Sequence, residues 1–187
     1  MKCSVIILAA GSGKRTGLQY NKVLYEIHGK KLIEYSIDKF KEFPLINEIV
    51  LVVSQNELEY FQNNYNDKVD NIVVGGKERQ DSLYNTLQII KNDYVLVHDG
   101  ARPFIPTHSM RELFSLLENE KSLTLAVKVK DTIQRVRNNK VIETLNREEL
   151  YAVQTPQAFK KETLMKAHSL AKKDGFVGTD DTMLVEK

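Results

Sequence analysis

Four short runs of this chain are apolar at nearly every position: residues 5–8, 49–53, 71–74 and 94–97. A strand with one wet face alternates apolar and polar residues. A strand that is apolar throughout has to be covered on both faces. Helical spacing lies between the runs. Residues 31–40 place Leu32, Ile33, Tyr35, Ser36, Ile37 and Phe40 at helical intervals, and Pro44 ends that region. Residues 57–64 read as a weaker helix, 78–90 as one with Leu83, Leu87 and Ile90 on a face, and 107–117 as one capped by Thr107. Residues 123–129 make a fifth strand. Strand and helix in alternation predict an α/β fold: a mostly parallel sheet flanked by helices. At 187 residues the expectation is one domain, 1–187, with a core of its own.

In such sheets ligands bind beyond the carboxyl ends of the strands. Three strands end in chemically loaded sequence. The first runs into Ala9-Ala10-Gly11-Ser12-Gly13-Lys14-Arg15, with Lys22 a short loop later. The third runs into Gly75-Gly76-Lys77-Glu78-Arg79-Gln80-Asp81-Ser82. The fourth runs into His98-Asp99-Gly100-Ala101-Arg102-Pro103. Glycines after a buried strand bring backbone N–H groups close to a ligand, and successive N–H groups with nearby cations suit phosphates. Two better-known phosphate loops are excluded. A P-loop needs glycine where Leu8 stands and Ser or Thr where Arg15 stands. A dinucleotide fingerprint needs Gly or Ala where Thr16 stands, and an acid after the second strand, which ends Val53-Ser54-Gln55-Asn56. The reading is a nucleoside triphosphate site. Taken alone, a Gly-x-Gly is also an ordinary tight turn, and Arg15 or Lys22 an ordinary surface charge.

Net charge is +2, too small to argue for nucleic acid. The single cysteine, Cys3, excludes an intramolecular disulfide and a cysteine-cluster zinc site, and is expected to pack as a small apolar residue. The apolar run after Lys2 is too short for a signal peptide, and no run reaches membrane-spanning length. A cytoplasmic protein with no membrane partner is expected.

Residues 130–150 differ in character. Residues 132–136 and 141–145 alternate around Arg137-Asn138-Asn139-Lys140, the pattern of a β-hairpin. An isolated two-stranded hairpin is marginal in water, so this arm is expected to lie on the body or on a second subunit. Gln154 to Phe159 then leads to a helix over 161–172, Gly175 and Gly178 punctuate, and Thr179 is expected to cap a last helix that has Asp180 and Asp181 in its first turn.

These blocks, in this order, resemble the bacterial 2-C-methyl-D-erythritol 4-phosphate cytidylyltransferases of non-mevalonate isoprenoid synthesis. To the loops above the resemblance adds Lys130-Asp131-Thr132-Ile133, Arg147, Gln154-Thr155-Pro156-Gln157-Ala158-Phe159 and Gly178-Thr179-Asp180-Asp181, so it spans nearly the whole chain. It implies a Rossmann-like sheet of nucleotidyltransferase type with a protruding β-arm, 130–150, that makes a homodimer. The implied reaction is attack of a sugar-alcohol phosphate on the α-phosphorus of CTP, with pyrophosphate leaving. Mg²⁺ is implied as a cofactor bound with CTP, with no direct protein ligand assigned.

The resemblance carries residue roles with it. Arg15 and Lys22 match the catalytic pair. Ala9, Ala10, Gly11, Gly13, Lys14, Gly76, Arg79, Ser82, Asp99 and Gly100 match nucleotide-binding positions. Asp99, Arg102, Thr132, Arg147, Thr155 and Thr179 match groups that hold the sugar phosphate, Thr132 and Arg147 reaching it from the neighbouring subunit. Thr16 replaces the family's usual Met, and Asn21 its usual Pro before Lys22. The family continues beyond the position of Lys187 with roughly one more helix-and-strand segment carrying a further phosphate-binding lysine, so the C-terminal segment is expected to be missing here. A ribitol-5-phosphate cytidylyltransferase and a non-catalytic CTP-binding relative remain alternatives.

Overall fold

The computed structural model describes residues 1–11 and 20–187. Its main sheet has six strands in the order β5-β4-β1-β6-β10-β7. These are β1 (Cys3–Leu8), β4 (Ile46–Val53), β5 (Asn71–Val74), β6 (Tyr94–Asp99), β7 (Ser122–Lys128) and β10 (Tyr151–Lys160). Strands β5, β4, β1 and β6 run parallel, and β10 runs antiparallel to both β6 and β7. Two small hairpins stand apart: β2 (Glu26–Ile27) with β3 (Lys30–Lys31), and β8 (Gln134–Arg137) with β9 (Lys140–Thr144). The helices are α1 (Leu32–Lys41), α2 (Leu58–Tyr65), α3 (Arg79–Leu87), α4 (Thr107–Leu117), α5 (Lys161–Asp174) and α6 (Asp181–Glu186).

The two-residue period of a strand divides the apolar runs between two cores. Val5, Ile7, Leu51, Val53, Leu96 and Ala158 face α1, α2 and α4, packing with Ile33, Ile37, Phe40, Phe61, Met110 and Leu113. Ile6, Val52, Val95, Val97 and Phe159 face the other way, onto Leu83 and Leu87 of α3 and Leu164 of α5. Each Val, Leu, Ile, Phe or Met among them contributes about 1.5–3 kcal/mol on full burial. Coverage on both faces is why the runs carry no polar alternation. Cys3 is fully buried, and burial pushes its thiol up to about 11.

Three local expectations change. Thr107 does not cap α4: the preceding residue, Pro106, is the cap, and Thr107 Oγ1 accepts a hydrogen bond from Lys39 Nζ at 2.6 Å. The cap of α6 is Asp180 rather than Thr179, its Oδ1 accepting from Met183 N at 2.9 Å. Residues 151–160 form strand β10, paired on both sides between β6 and β7, where only a lead-in to a helix was expected. Pro156 masks that strand in the sequence, because a proline inside a run argues against a central strand. It is tolerated because pairing with β6 begins only at Gln157, and the register against β7 shifts between Val153 and Gln157.

The hairpin of the arm forms as expected. Asn138 and Asn139 both take positive φ, 49° and 57°, the left-handed pair that a two-residue turn needs. Residues 130–144 are all exposed, Val136, Val141 and Ile142 more than half so. Among the described residues, the arm does not lie on the body of its own chain.

Candidate active site

From β1 the chain builds β4 and β5 on one side, then crosses to place β6 on the other. The crevice at such a reversal, beyond the carboxyl ends of β1 and β6, is where open α/β sheets bind ligands. The sequence-predicted loops after β1 and β6 meet there. Gly100 N donates to Leu8 O at 3.0 Å. A Cβ on Gly100 would come within 2.9 Å of Ile33 Cδ1 and 3.2 Å of Leu8 O, so a side chain there would force its neighbours to shift.

The loop after β5 joins from the far side of β1. Gly75 N donates to Val53 O, and a Cβ on Gly75 would lie 3.3 Å from Ala10 Cβ. A Cβ on Gly76 would meet Asp81 Cβ at 2.5 Å. Gly76 N donates to Ser82 Oγ at 2.9 Å, and that hydroxyl donates to Glu78 O at 2.9 Å. Ser82 thus pins the Gly-Gly turn onto the start of α3. Both backbone polar groups of Ala9 are also taken: its N–H by Val52 O and its C=O by the Asn21 side chain. Ala9 therefore frames the loop from within the chain.

Lys22 opens a single 3-10 turn, Lys22–Leu24, whose cap is Asn21. Asn21 is buried, and Lys22 is exposed. The turn is fixed at the tip of β1 through the Asn21 amide, and Val23 is rooted in the core.

A second network organises the β6 end. His98 is fully buried, its ring edge-on to Phe40. Arg102 O lies 3.1 Å from its Nε2 and can only accept, so Nε2 carries the proton. Nδ1 then accepts from Thr155 Oγ1 at 3.0 Å, and that hydroxyl accepts from Asp99 N at 3.2 Å. Burial pulls the His98 pKa down to about 4, against a smaller upward pull from Asp99, so the ring is neutral at pH 7. Arg102 Nε donates to Asp99 Oδ2 at 3.1 Å, and Arg102 Nη1 donates to Gln154 Oε1. Asp99, Arg102 and Thr155 are thus held as one unit by a histidine none of whose atoms reaches solvent.

The third cluster joins α3 to the C-terminal loop. Arg79 Nη1 lies 2.6 Å from Oδ2 of Asp181, a close ion pair without the alignment of a directed hydrogen bond. Asp181 is 1% exposed, and its Oδ1 lies 3.4 Å from Nε2 of the equally buried His168. Gln80 ties the same region down, donating to Phe176 O and accepting from Gly178 N, both at 3.2 Å. Gln157 donates to Asp180 Oδ2 at 3.3 Å, which sets Thr179 beside the middle of β10.

Of the site residues expected from sequence, the fold gathers Ala9, Ala10, Gly11, Lys22, Gly76, Ser82, Asp99, Gly100, Arg102 and Thr155 around the carboxyl ends of β1, β5 and β6. Arg79 and Thr179 join through α3 and β10. Gly13, Lys14 and Arg15 lie outside the described residues. Thr132 and Arg147 stay on the arm: Arg147 Nη1 donates to Lys130 O at 3.0 Å, and no described contact joins either residue to Asp99, Arg102 or Thr155. Among the described residues no three His, Cys, Asp or Glu side chains converge as a metal cluster, and no helix is long and apolar enough to cross a membrane. Sequence reasoning assigned no role to His98 or Asn21, and gave Asp181 only a helix-dipole one. The signal for His98 was a histidine at the end of a buried run, a position where a polar ring needs partners.

The family model described as 2-C-methyl-D-erythritol 4-phosphate cytidylyltransferase matches residues 3–187. The chain belongs to that family. A cytidylyltransferase of this name from Dictyoglomus thermophilum is 44% identical over 191 residues, covering 97% of this chain and 82% of the relative. One from Clostridioides difficile is 43% identical, covering 98% and 80%. Among solved structures, the 4-diphosphocytidyl-2C-methyl-D-erythritol synthase of Anaerococcus prevotii superposes with a TM-score of 0.86 at 30% identity, over 99% of this chain and 83% of that one. The Francisella tularensis cytidylyltransferase gives 0.79 at 32% identity, over 100% and 86%. The crevice between β1 and β6 is therefore the candidate active site of a 2-C-methyl-D-erythritol 4-phosphate cytidylyltransferase-family enzyme.

Proposed function

We propose that the chain transfers the cytidylyl group of CTP to 2-C-methyl-D-erythritol 4-phosphate, giving 4-diphosphocytidyl-2-C-methyl-D-erythritol and pyrophosphate. The observation that carries the reading is the meeting of the β1, β5 and β6 loops at the sheet's reversal point in a chain of this family. A phosphate oxygen of the acceptor attacks the α-phosphorus of CTP. The bond from that phosphorus to the bridging oxygen of the leaving group breaks, and pyrophosphate departs with the electron pair. Catalysis of such a transfer is mostly positioning and charge stabilisation. Arg15 and Lys22 supply fixed positive charge to the crowded phosphorus and the leaving pyrophosphate. Ala10, Gly11, Gly13 and Lys14 cradle the triphosphate. Gly76, Ser82 and Arg79 shape the cytidine side, with Gly100 at the floor.

Asp99, Arg102, Thr155 and Thr179 hold the acceptor. The Arg102–Asp99 pair leaves the rim a cation for the acceptor phosphate and a carboxylate for its hydroxyls. That donor set suits a divalent ion carried in by the substrate, since Mg²⁺ is commonly held by one or two carboxylates and the phosphates themselves. Such an ion would supply charge neutralisation at the triphosphate, and Asp99 is the rim carboxylate that would help to hold it. Thr132 and Arg147 act from the arm of a second subunit: the exposed Val136, Val141 and Ile142 support burial against another copy. The enzyme works in the cytoplasm, where its charged, membrane-impermeant substrates are.

The test is pyrophosphate release with CTP and each candidate acceptor. Turnover with methylerythritol phosphate and little with ribitol 5-phosphate is expected, and the reverse would overturn the acceptor assignment. CTP binding without turnover would instead mark a binding module. Lys22→Ala and Arg15→Ala are each expected to lower kcat on the order of a hundredfold or more while CTP affinity changes little, because charge is needed most in the transition state. UTP is expected to be a poor donor, since a mismatched buried polar group costs roughly 1–3 kcal/mol.

A further inference from the structure

Lys22 is exposed, and its side chain has four rotatable bonds. A charge on such a stem is positioned only if the backbone beneath it is held, and misplacement by about 1 Å can cost on the order of a hundredfold in rate. The residue that holds this backbone is Asn21, 4% exposed. Its Nδ2 donates to Ala9 O at 2.5 Å and to Glu57 Oε2 at 2.9 Å. Its Oδ1 accepts from Val23 N at 3.2 Å. Glu57 Oε2 is itself steadied by Ser54 Oγ, which donates to it at 2.7 Å.

Both amide hydrogens and the amide oxygen are thus used, so the side chain has one orientation. Its partners come from three places: Ala9 follows β1, Glu57 follows β4, and Val23 belongs to the turn that Lys22 opens. Asn21 Oδ1 and the Leu24 N–H bond to Asn21 O together close that turn around Lys22.

We propose that Asn21 is a positioning residue for Lys22, fixing the lysine backbone against the tips of β1 and β4, with Glu57 and Ser54 orienting its amide. The inference rests on the catalytic reading of Lys22 above. Asn21 acts through Lys22 and touches no substrate. A buried asparagine that served stability alone would move the melting temperature without a selective effect on turnover.

The experiment is steady-state pyrophosphate release by Asn21→Ala, Lys22→Ala and the double variant, each checked for folding by thermal melt. Asn21→Ala is expected to lower kcat about tenfold to a hundredfold, with KM for CTP within about twofold of the parent. Two residues that act as a unit are not additive, so the double variant is expected to fall no further than Lys22→Ala alone. If the alanine chain does not fold, Glu57→Ala takes its place: it removes one partner of the amide from a half-buried position outside the core. It is expected to lower kcat in the parent but not in the Lys22→Ala background. Unchanged kcat in the folded variant overturns the proposal, as does a loss that multiplies with that of Lys22→Ala. Normal turnover in Lys22→Ala would instead overturn the catalytic reading of the lysine, a separate and visible failure.

Discussion

The rim of the sheet and the arm carry candidate site residues of the same chemical kinds, yet they are held in opposite ways. At the rim, Asp99, Arg102 and Thr155 are locked to one another and to a buried His98. On the arm, Thr132 and Arg147 are exposed, and the hairpin bonds chiefly to itself. A rim residue meets the substrate pre-ordered, so little conformational entropy is lost on binding. An arm residue has no such frame within one chain. The rim is ordered by contacts within one chain, whereas the described contacts of the arm are chiefly its own.

The largest expected effect tests that division directly. Arg147→Ala and Lys22→Ala chains, each nearly inactive alone, are mixed under conditions that exchange subunits. If the arm serves the partner's crevice, one site of each heterodimer holds both intact residues, and activity returns toward about half that of a normal dimer, because a two-fold exchange of arms closes as a pair. No recovery in demonstrated, folded heterodimers would place Arg147 in its own subunit's site or outside the site.

The next effect concerns stability. Asp181 is 1% exposed in the intact chain, and Arg79→Ala leaves its carboxylate with His168 as the one ionisable partner among the described residues. Stranding a buried charge costs roughly 3–5 kcal/mol, read as a shift in the denaturant midpoint. A loss below about 1 kcal/mol would mean that the clamp is not a structural unit.

A smaller effect comes from His98. Burial lowers its pKa to about 4, below the ordinary value of 6.5. The unfolded chain therefore takes up this proton first as pH falls. The contribution of neutral His98 is fully present above pH 6.5 and is lost progressively between pH 6.5 and 4. The loss is at most about 1.4 kcal/mol per pH unit. A His98→Gln chain is expected to show a shallower fall over that window, and parallel stability–pH curves would refute the assignment.

The smallest effect belongs to the arm. Arg135 and Glu143 form an ion pair at 2.9 Å with side chains 62% and 44% exposed. Glu143→Ala is expected to change stability by less than about 0.5 kcal/mol, since exposed pairs contribute little. A larger loss would show that this pair is covered by a partner, which sharpens the contrast between arm and rim.

Much of the architecture was legible locally. Runs such as residues 5–8 and 49–53 predict buried strands because apolar residues on both faces have no other stable place, and the Asn138-Asn139 turn follows from two positions that tolerate positive φ. The candidate ligand loops were legible because glycines and cations cluster directly after buried strands, where backbone N–H groups can approach an anion. Strand β10 was not legible, since Pro156 speaks against it locally and only the register shift against β7 excuses it. Arg79 was legible as a site residue but not as the partner of Asp181, about a hundred residues along the chain.

By itself, then, the amino-acid sequence determined the alternation of strands and helices, the hairpin, and which loops are candidates for phosphate chemistry. These depend on period, turn residues and side-chain type, which are local properties. Only the tertiary structure decided that His98 would orient Thr155, that Asn21 would seat Lys22, and that Asp181 would take Arg79. A hydrogen bond or ion pair depends on distances of about 3 Å, and the partners here, 12 to 102 residues apart except where a turn closes, meet only once the sheet is assembled.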